Sequence, residues 1–390
     1  MYEIVLFLFS NNFLAYSNYL ILLLMFIFLI NHNFDKNLLP SFQGVVLFFA
    51  FLSFAIIYRL NYGELRLSYA MGHFITPISA FYLGGQRAKS DYRKFGKDII
   101  IISAGAFIHS FSNIIINKGT PILKIEGRAF NDIYGGIISA TLLNLYFIGI
   151  CSLLFYFLFC EKSKGIKFTG TVAVILSIYG TIVSASRTLF YVTALTFATA
   201  FFIYLSSAEI SPKKARIWII TFCAVAGIGI AFNFNFLGIK SALENSPLGI
   251  RMAAASEGSS IAHNDRMEYA SEVLKMIPQY PFGNLDYKHY AHNFWLDVAR
   301  QTGIIPALFF VWFIVISLKN ASRLFKNKFI DTNYKCLLIP MFLAYFVVFF
   351  TEPIYEGAPL LLSYFCYISG GLKNVCGSEI RKTADGGAGI

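Results

Sequence analysis

Residues 134–159 are YGGIISATLLNLYFIGICSLLFYFLF, a run that contains no charged side chain. An α-helix rises about 1.5 Å per residue, so roughly 20 such residues cross the ~30 Å hydrocarbon core of a bilayer. In lipid every backbone amide needs a protein partner, and a helix provides one within the segment itself. This stretch therefore predicts a transmembrane α-helix.

Apolar blocks of similar length recur along the whole chain. Of the 390 residues, 57% are hydrophobic and 14% are charged, whereas a soluble globular chain carries about 25% charged residues. The charges are too few to cover a water-facing surface. We therefore predict an all-α fold, a polytopic transmembrane helical bundle of about 11 to 12 spans. The blocks cover residues 13–30, 40–58, 68–84, 98–116, 134–159, 168–185, 188–206, 216–234, 293–317, 336–351 and 357–372.

The distribution of Lys and Arg predicts how the spans are oriented. The net charge is +11, and membrane proteins concentrate Lys and Arg in their cytoplasmic loops. This rule accounts for the charge better than nucleic-acid binding does, so we expect no nucleic-acid partner. The predicted cytoplasmic segments are 85–97, 161–167, 207–216, 318–335 and the C-terminal tail. The predicted outside segments, which alternate with them, are 117–133, 186–187, 235–292 and 351–356.

One outside loop, residues 235–292, is much longer than the others. Long loops are commonly functional, and Arg266 to Ile277 has the apolar spacing of a short helix, followed by turn signals at Pro278 and Pro281. We therefore expect an N-terminal transmembrane bundle (1–234), a large outside loop with short helices (235–292), C-terminal transmembrane helices (293–375) and a disordered tail (376–390). The six cysteines form no CxxC pair, so we expect neither a metal site nor a cofactor.

Three polar residues on the outside face are candidates for chemistry. Arg187 lies between two spans with no room for a loop, Arg266 opens the loop helix, and His292 stands where the loop re-enters the membrane. Arginine forks bind phosphate bidentately, and a His with a pKa near ~6.5 can accept a proton from a hydroxyl. The alternatives are an interface anchor for Arg187 and a solvated helix surface for Arg266.

A polar stripe follows His292. Asn293, Asp297, Arg300 and Gln301 fall on one helical face, and ionisable residues within a membrane are functional candidates. A structural Asp297–Arg300 pair is the alternative. Nearby aromatic residues would suit stacking on sugars or, equally, an aromatic belt at the interface. They are Tyr280, Phe282, Tyr287, Tyr290 and Trp295.

Together these motifs resemble the O-antigen polymerase and O-antigen ligase family. That family combines an Arg, a P-x-G turn and a His-Asn pair at the end of a large periplasmic loop. The ligase branch usually has a small or hydroxylic residue three positions after the motif Gly, where this chain has Pro306, which favours the polymerase branch. The matching residues are Ser186-Arg187, Arg266 with Ala270, Pro281-Phe282-Gly283-Asn284, His292-Asn293 with Leu296, and Gly303-Ile304-Ile305.

The resemblance implies an inverting, metal-independent glycosyltransferase at the periplasmic face of the cell inner membrane. It would move a growing glycan from undecaprenyl diphosphate to the next lipid-linked repeat unit, with His292 as the base and Arg187 and Arg266 holding the diphosphate. Asn293, Asp297, Arg300, Tyr287 and Tyr290 would bind substrate. The expected partners are the lipid-linked donor and acceptor, membrane lipid and a chain-length regulator protein. The alternatives are a ligase that uses lipid A–core as acceptor, or a lipid-linked oligosaccharide flippase, for which repeated halves would be expected.

Overall fold

The computed structural model describes residues 1–31, 41–117, 129–206, 212–256, 261–283 and 291–386. Most of them are helical. Among these residues, two π-helical turns, Met71–Ile75 and Tyr156–Cys160, follow α4 and α7, and one antiparallel hairpin pairs β1 (Ala129–Asn131) with β2 (Ile137–Ser139). The helices are α1 Tyr2–Ser10, α2 Ser17–Asn31, α3 Phe42–Tyr62, α4 Leu67–Ala70, α5 Thr76–Ser90, α6 Tyr92–Ile116, α7 Ala140–Ser152, α8 Lys164–Val183, α9 Thr188–Ser206, α10 Pro212–Asn233, α11 Ile239–Glu244, α12 Pro247–Ser256, α13 Ile261–Met276, α14 Phe294–Thr302, α15 Ile304–Lys326, α16 Thr332–Val348, α17 Ile354–Gly357 and α18 Pro359–Gly386.

Within the described residues, six helices are long and apolar enough to cross a membrane, and two shorter apolar helices accompany them. This confirms the helical, multi-pass membrane architecture, while the full count of about 11 to 12 spans stays a prediction. The six are Phe42–Tyr62, Tyr92–Ile116, Ala140–Cys160, Lys164–Val183, Thr188–Ser206 and Ile304–Lys326.

Helices α5 and α18 pack closely together, and glycines make their approach possible. A Cβ on Gly84 would lie 2.0 Å from the Tyr367 carbonyl oxygen, and one on Gly370 would lie 1.9 Å from the Phe81 carbonyl oxygen. Small residues let helix backbones come together in a membrane, where van der Waals contact drives association. Because Gly84 and Gly370 have no side chain, the backbones of α5 and α18 can pack in direct contact.

A buried ion pair connects four helices of the bundle. Arg87 of α5 donates from Nε to Oδ2 of Asp98 on α6 at 2.7 Å, and the Tyr367 hydroxyl of α18 donates to the same oxygen at 2.7 Å. The Arg87 guanidinium also lies 4.4 Å from the ring centroid of Tyr2 on α1. Charges inside a membrane protein are costly unless they are paired. This network therefore has a structural role and constrains how α1, α5, α6 and α18 pack.

Two predicted spans are not single regular helices. Residues 293–317 divide into α14 and α15 at Gly303, which has φ +79°, so the polar stripe from Asn293 to Gln301 lies on a separate short helix. Residues 68–84 contain the π-helical turn Met71–Ile75. At the C-terminal end α18 extends to Gly386, and the disordered tail stays a prediction.

Candidate functional site

His292 lines a cavity of about 380 Å³ together with polar side chains from two other segments. Ser139 and Thr141 contribute hydroxyls from the start of α7, and Glu352 contributes a carboxylate from the turn after α16. The remaining lining residues are Leu142, Leu145, Pro353, Gly357 and Ala358. Cavities of about 300 to 1,000 Å³ with a few convergent polar groups are typical of small-ligand sites.

Glu352 connects this cavity to the junction between α8 and α9. The residue is 3% exposed, and its Oε1 accepts a hydrogen bond of 3.1 Å from the Thr188 hydroxyl. Thr188 is the first residue of α9 and directly follows the half-buried Arg187. The junction that contains Arg187 is therefore connected, through Thr188 and Glu352, to the cavity that His292 lines. Sequence reasoning missed Glu352, because it considered residues 351–356 only as one of the predicted outside segments.

The junction itself has an unusual backbone. Ala185 has φ +54°, and the Ser186 amide donates back to the Thr181 carbonyl at 3.2 Å. Arg251 of α12 donates from Nη1 to the Ala185 carbonyl at 2.6 Å. A second guanidinium therefore lies at the Ser186-Arg187 motif. The sequence contained no signal for Arg251, which resembles any solvated Arg of a long loop.

Backbone hydrogen bonds position His292 directly before α14. Asp297 is fully buried, and its two carboxylate oxygens accept from the amides of Ala291 (2.8 Å) and Asn293 (3.2 Å). His292 lies between those amides with φ +51°. A non-glycine residue in the left-handed region is uncommon, and such strain is often found at functional sites.

Asn293 caps α14 in the usual way. Its Oδ1 accepts from the amides of Trp295 (3.0 Å) and Leu296 (3.3 Å), which satisfies two of the amides exposed at a helix start. The Phe294 amide donates to the Phe349 carbonyl at the end of α16 at 2.8 Å. These contacts bring His292 beside Glu352, and they favour a framework role for Asn293 and Asp297, whose contact with substrate stays a prediction.

The P-x-G motif forms a backbone crossing with Gly303. Ile304 donates to the Pro281 carbonyl at 3.0 Å, and a Cβ on Gly303 would lie 1.9 Å from that same oxygen. Gly283 has φ +91°, and a Cβ there would lie 2.5 Å from the Gln301 carbonyl oxygen. We call this contact between Pro281–Gly283 and 301–304 the clasp. It explains on steric grounds why both motif positions are glycine.

The side chain of Asn61, at the end of α3, reinforces the clasp. Its Nδ2 donates to the carbonyl oxygens of Phe282 (2.8 Å) and Gln301 (3.1 Å), one on each side of the crossing. Residues 281–283 are therefore bonded both to the start of α15 and to the end of α3.

The hairpin that leads into Ser139 is anchored by a polar cluster on α6. Asn113 Oδ1 accepts from the Ile133 amide at 2.7 Å, and His109 Nε2 lies 3.4 Å from Asp132 Oδ2. Burial opposes ionisation of Asp132, but hydrogen bonds from His109 and the Tyr134 amide outweigh it and hold the pKa of this carboxyl below its usual value. Ser139 then caps α7, its Oγ accepting from the Leu142 amide at 3.1 Å.

Of the other predicted site residues, some lie on α14 and some lie outside the described part of the chain. Arg300 is buried on α14 at 6% exposure, and Trp295 packs edge-on against Phe294. The backbone of Arg266 is part of α13, but its side chain lies outside the described part of the structure. Tyr287 and Tyr290 lie wholly outside the described residues. Among the residues that the structure describes, no group of three or more His, Cys, Asp or Glu side chains could hold a metal ion.

No protein-family model matches the chain, and no curated protein matches it.

Proposed function

We propose that this chain is a polymerase of lipid-linked glycans, joining undecaprenyl-diphosphate-linked repeat units outside the cell inner membrane. The observation that carries the proposal is the convergence of separate motif segments at one cavity. His292 and Glu352 line it, and Thr188 links Glu352 at 3.1 Å to the junction that carries Arg187.

The groups at this cavity suit glycosyl transfer. Neutral His292 accepts the proton of an acceptor hydroxyl while that oxygen attacks the anomeric carbon of the donor. The bond from the anomeric carbon to the phosphate oxygen breaks, and the lipid diphosphate leaves with the bonding electron pair. Attack opposite the leaving group inverts the anomeric configuration.

The diphosphate leaving group needs charge stabilisation more than protonation. Arg187 follows the junction directly, and the Arg251 guanidinium is held on the Ala185 carbonyl at 2.6 Å. Guanidinium forks stay charged and match phosphate oxygens in a partly dry site. Arg251 therefore joins Arg187 and Arg266 in the proposed diphosphate site.

The experiment compares two substitutions of His292 in cells that lack the native gene. His292→Ala should remove most polymer, because general-base catalysis contributes about 10²- to 10⁴-fold. His292→Asn is the sharper variant, because Asn tolerates the left-handed backbone at φ +51° but cannot accept a proton near neutral pH. A surface-polysaccharide ladder from the Asn variant that equals the parent's at matched protein abundance would exclude the base role.

The same cells separate the alternative functions. Loss of a polymerase leaves lipopolysaccharide with a single repeat unit, whereas loss of a ligase leaves none and lets lipid-linked polymer accumulate. Loss of a flippase leaves single lipid-linked units on the cytoplasmic side. Only the first pattern supports the proposal.

A further inference from the structure

A second cavity, of about 210 Å³, lies between α6, α7 and α8. Ile100 and Ala104 line it from α6, and Ile166 and Ala173 line it from α8. All three helices belong to the candidate membrane spans, and two of the lining residues, Ile108 and Ile166, are each 42% exposed. The cavity is therefore a groove that opens from the side of the bundle towards the lipid, and we call it the lateral groove.

Two glycines of α8 shape the lateral groove. A Cβ on Gly170 would lie 2.6 Å from the ring of Phe157, a fully buried residue of the π-helical turn that also lines the groove. Further along the same helices, a Cβ on Gly180 would lie 2.6 Å from the Cδ1 atom of Ile114 on α6. The Phe157 ring therefore forms one wall of the groove, and beyond it α6 and α8 are in direct contact.

The lining of the lateral groove suits a hydrocarbon chain. Among the described residues that line it, the one hydroxyl belongs to Thr169, and it donates to the Gly165 carbonyl of the same helix at 2.9 Å. The other described side chains of the lining are hydrocarbon. A sugar or a lipid headgroup would lose its hydrogen bonds to water on entering such a groove, whereas the acyl chain of a phospholipid has none to lose.

Exposed lysines lie at the end of the lateral groove where α6 and α8 begin. Ile100 and Ile166 line the same groove, so the starts of the two helices lie at the same end of it. Lys97 stands three residues before Ile100, and Lys164 and Lys167 stand on either side of Ile166. Lysines extend their ammonium groups from the edge of an apolar surface towards the headgroups. This end of the groove therefore carries cations at the depth of lipid phosphate.

The carboxylates near this end have partners of their own. The two oxygens of Glu161 accept from the Tyr156 hydroxyl at 2.8 Å and from the Ser163 amide at 2.7 Å. Asp98 accepts from the Arg87 guanidinium at 2.7 Å. Each lysine near a membrane surface strengthens the binding of anionic lipid by about fivefold. The charge at this end of the lateral groove is therefore complementary to an anionic headgroup.

We propose that the lateral groove binds an anionic phospholipid of the leaflet at this end of the bundle, which is the predicted cytoplasmic leaflet. One acyl chain occupies the groove, and the phosphate lies among Lys97, Lys164 and Lys167. The groove flanks the later part of the Ala140–Cys160 span, whereas Ser139, directly before that span, lines the cavity at His292. The lipid site is thus separate from the proposed reaction site, and its test does not depend on the proposed function.

The test counts lipids on the purified full-length protein by native mass spectrometry. The probes are phosphatidylglycerol and phosphatidylcholine with identical acyl chains. Phosphatidylglycerol should bind about tenfold or more tightly, because several lysines act on its net charge. A phosphatidylglycerol with a diazirine in its acyl chain should form adducts on the groove residues of α6 and α8. Equal binding of the two lipids, or adducts confined to other helices, overturns the proposal.

A groove-filling variant tests the place of the acyl chain. Ala104→Phe puts a ring into the groove and should abolish the adducts and weaken phosphatidylglycerol binding. Ala198→Phe adds the same ring at an exposed position of α9 and should change neither. Unchanged adducts in the folded Ala104→Phe protein contradict the assignment.

A charge variant tests the place of the headgroup. Replacing Lys97, Lys164 and Lys167 together by Gln should remove the preference for phosphatidylglycerol. The matched control removes the same charge from α15 and the turn after it, where no described residue lines the groove, and should keep the preference. It replaces Lys319, Lys326 and Lys328 by Gln. A preference that survives the first replacement overturns the proposal.

Competition distinguishes an acyl chain from an isoprenoid chain. Excess unlabelled phosphatidylglycerol should suppress the diazirine adducts, and the same excess of undecaprenyl phosphate should leave most of them. Undecaprenyl phosphate that competes as well as phosphatidylglycerol assigns the groove to an isoprenoid lipid and overturns the proposal.

Discussion

Gly303→Ala should destabilise the protein more than a Gly→Ala substitution at an open position, because the backbone of Pro281 lies directly against Gly303. Gly303 has φ +79° and ψ −169°, a region that is essentially restricted to glycine and costs other residues about 1 to 3 kcal/mol. The new Cβ would also lie 1.9 Å from the Pro281 carbonyl oxygen, which accepts the 3.0 Å hydrogen bond from Ile304. Separating the two segments loses this bond, a net contribution of about 1 kcal/mol. Together the expected loss is about 2 to 4 kcal/mol.

Two other glycines provide matched controls for the same substitution. Gly136 has φ +89°, and a Cβ at this position would meet no atom of the described residues within 4 Å, so Gly136→Ala should show backbone strain alone. Gly227 lies within α10 without a positive φ, and a Cβ there would likewise meet open space in the described part of the chain. Gly227→Ala should therefore be neutral or stabilise by up to about 1 kcal/mol.

The measurement is the free energy of unfolding in mixed micelles with increasing sodium dodecyl sulfate. The expected order of stability is Gly227→Ala, then Gly136→Ala, then Gly303→Ala. If Gly303→Ala is no less stable than Gly136→Ala, the steric contribution of the clasp is refuted. If it matches Gly227→Ala, the backbone geometry at Gly303 is refuted as well.

The remaining predictions concern the arginines, the hairpin and the orientation. Arg187→Lys and Arg251→Lys keep the charge but lose the guanidinium fork, so each should shorten the polysaccharide ladder at unchanged abundance; normal ladders from both contradict the diphosphate site. The pKa of Asp132 in the folded protein lies below its usual value. The ionised Asp132 therefore contributes fully to the free energy of unfolding above about pH 3.9, and this contribution is lost as the pH falls through the folded-state pKa. Asp132→Asn should therefore lower unfolding free energy at neutral pH and not in strong acid; the same loss at both pH values contradicts the shift. A cysteine replacing Lys240 should react with a membrane-impermeant maleimide in intact cells and one replacing Asp91 should not; the reverse contradicts the orientation.

The long helices could be predicted from sequence because their cause is local. Chain length and continuous apolarity determine whether a segment can cross lipid, and the structure confirms six such helices among the residues it describes. The break in the predicted 293–317 span has a different cause. Gly303 is followed by residues as apolar as those of any span, and at the break the Pro281 backbone lies against it. Hydropathy contains no information about a backbone that approaches from another segment.

The candidate site was predictable only where a residue's position along the chain was itself informative. His292 ends a long loop and Arg187 lies between two predicted spans, so the sequence alone made both of them candidates. Glu352 and Arg251 become candidates only through tertiary contacts. Glu352 accepts a hydrogen bond from Thr188, and Arg251 donates one to the Ala185 carbonyl. Neither hydrogen bond could be predicted from the periodicity or the composition of the sequence.

The polar residues around His292 divide into those that shape the backbone and those that face the cavity. Both carboxylate oxygens of Asp297 are engaged by the amides on either side of His292, so Asp297 acts on the imidazole's position. Glu352 differs, because it lines the cavity while one oxygen accepts from Thr188. A buried carboxylate that served both purposes would have to release its backbone partners whenever a substrate bound, and unsatisfied buried amides cost about 1 to 3 kcal/mol each. Assigning the framework to Asp297 and the cavity to Glu352 avoids that conflict.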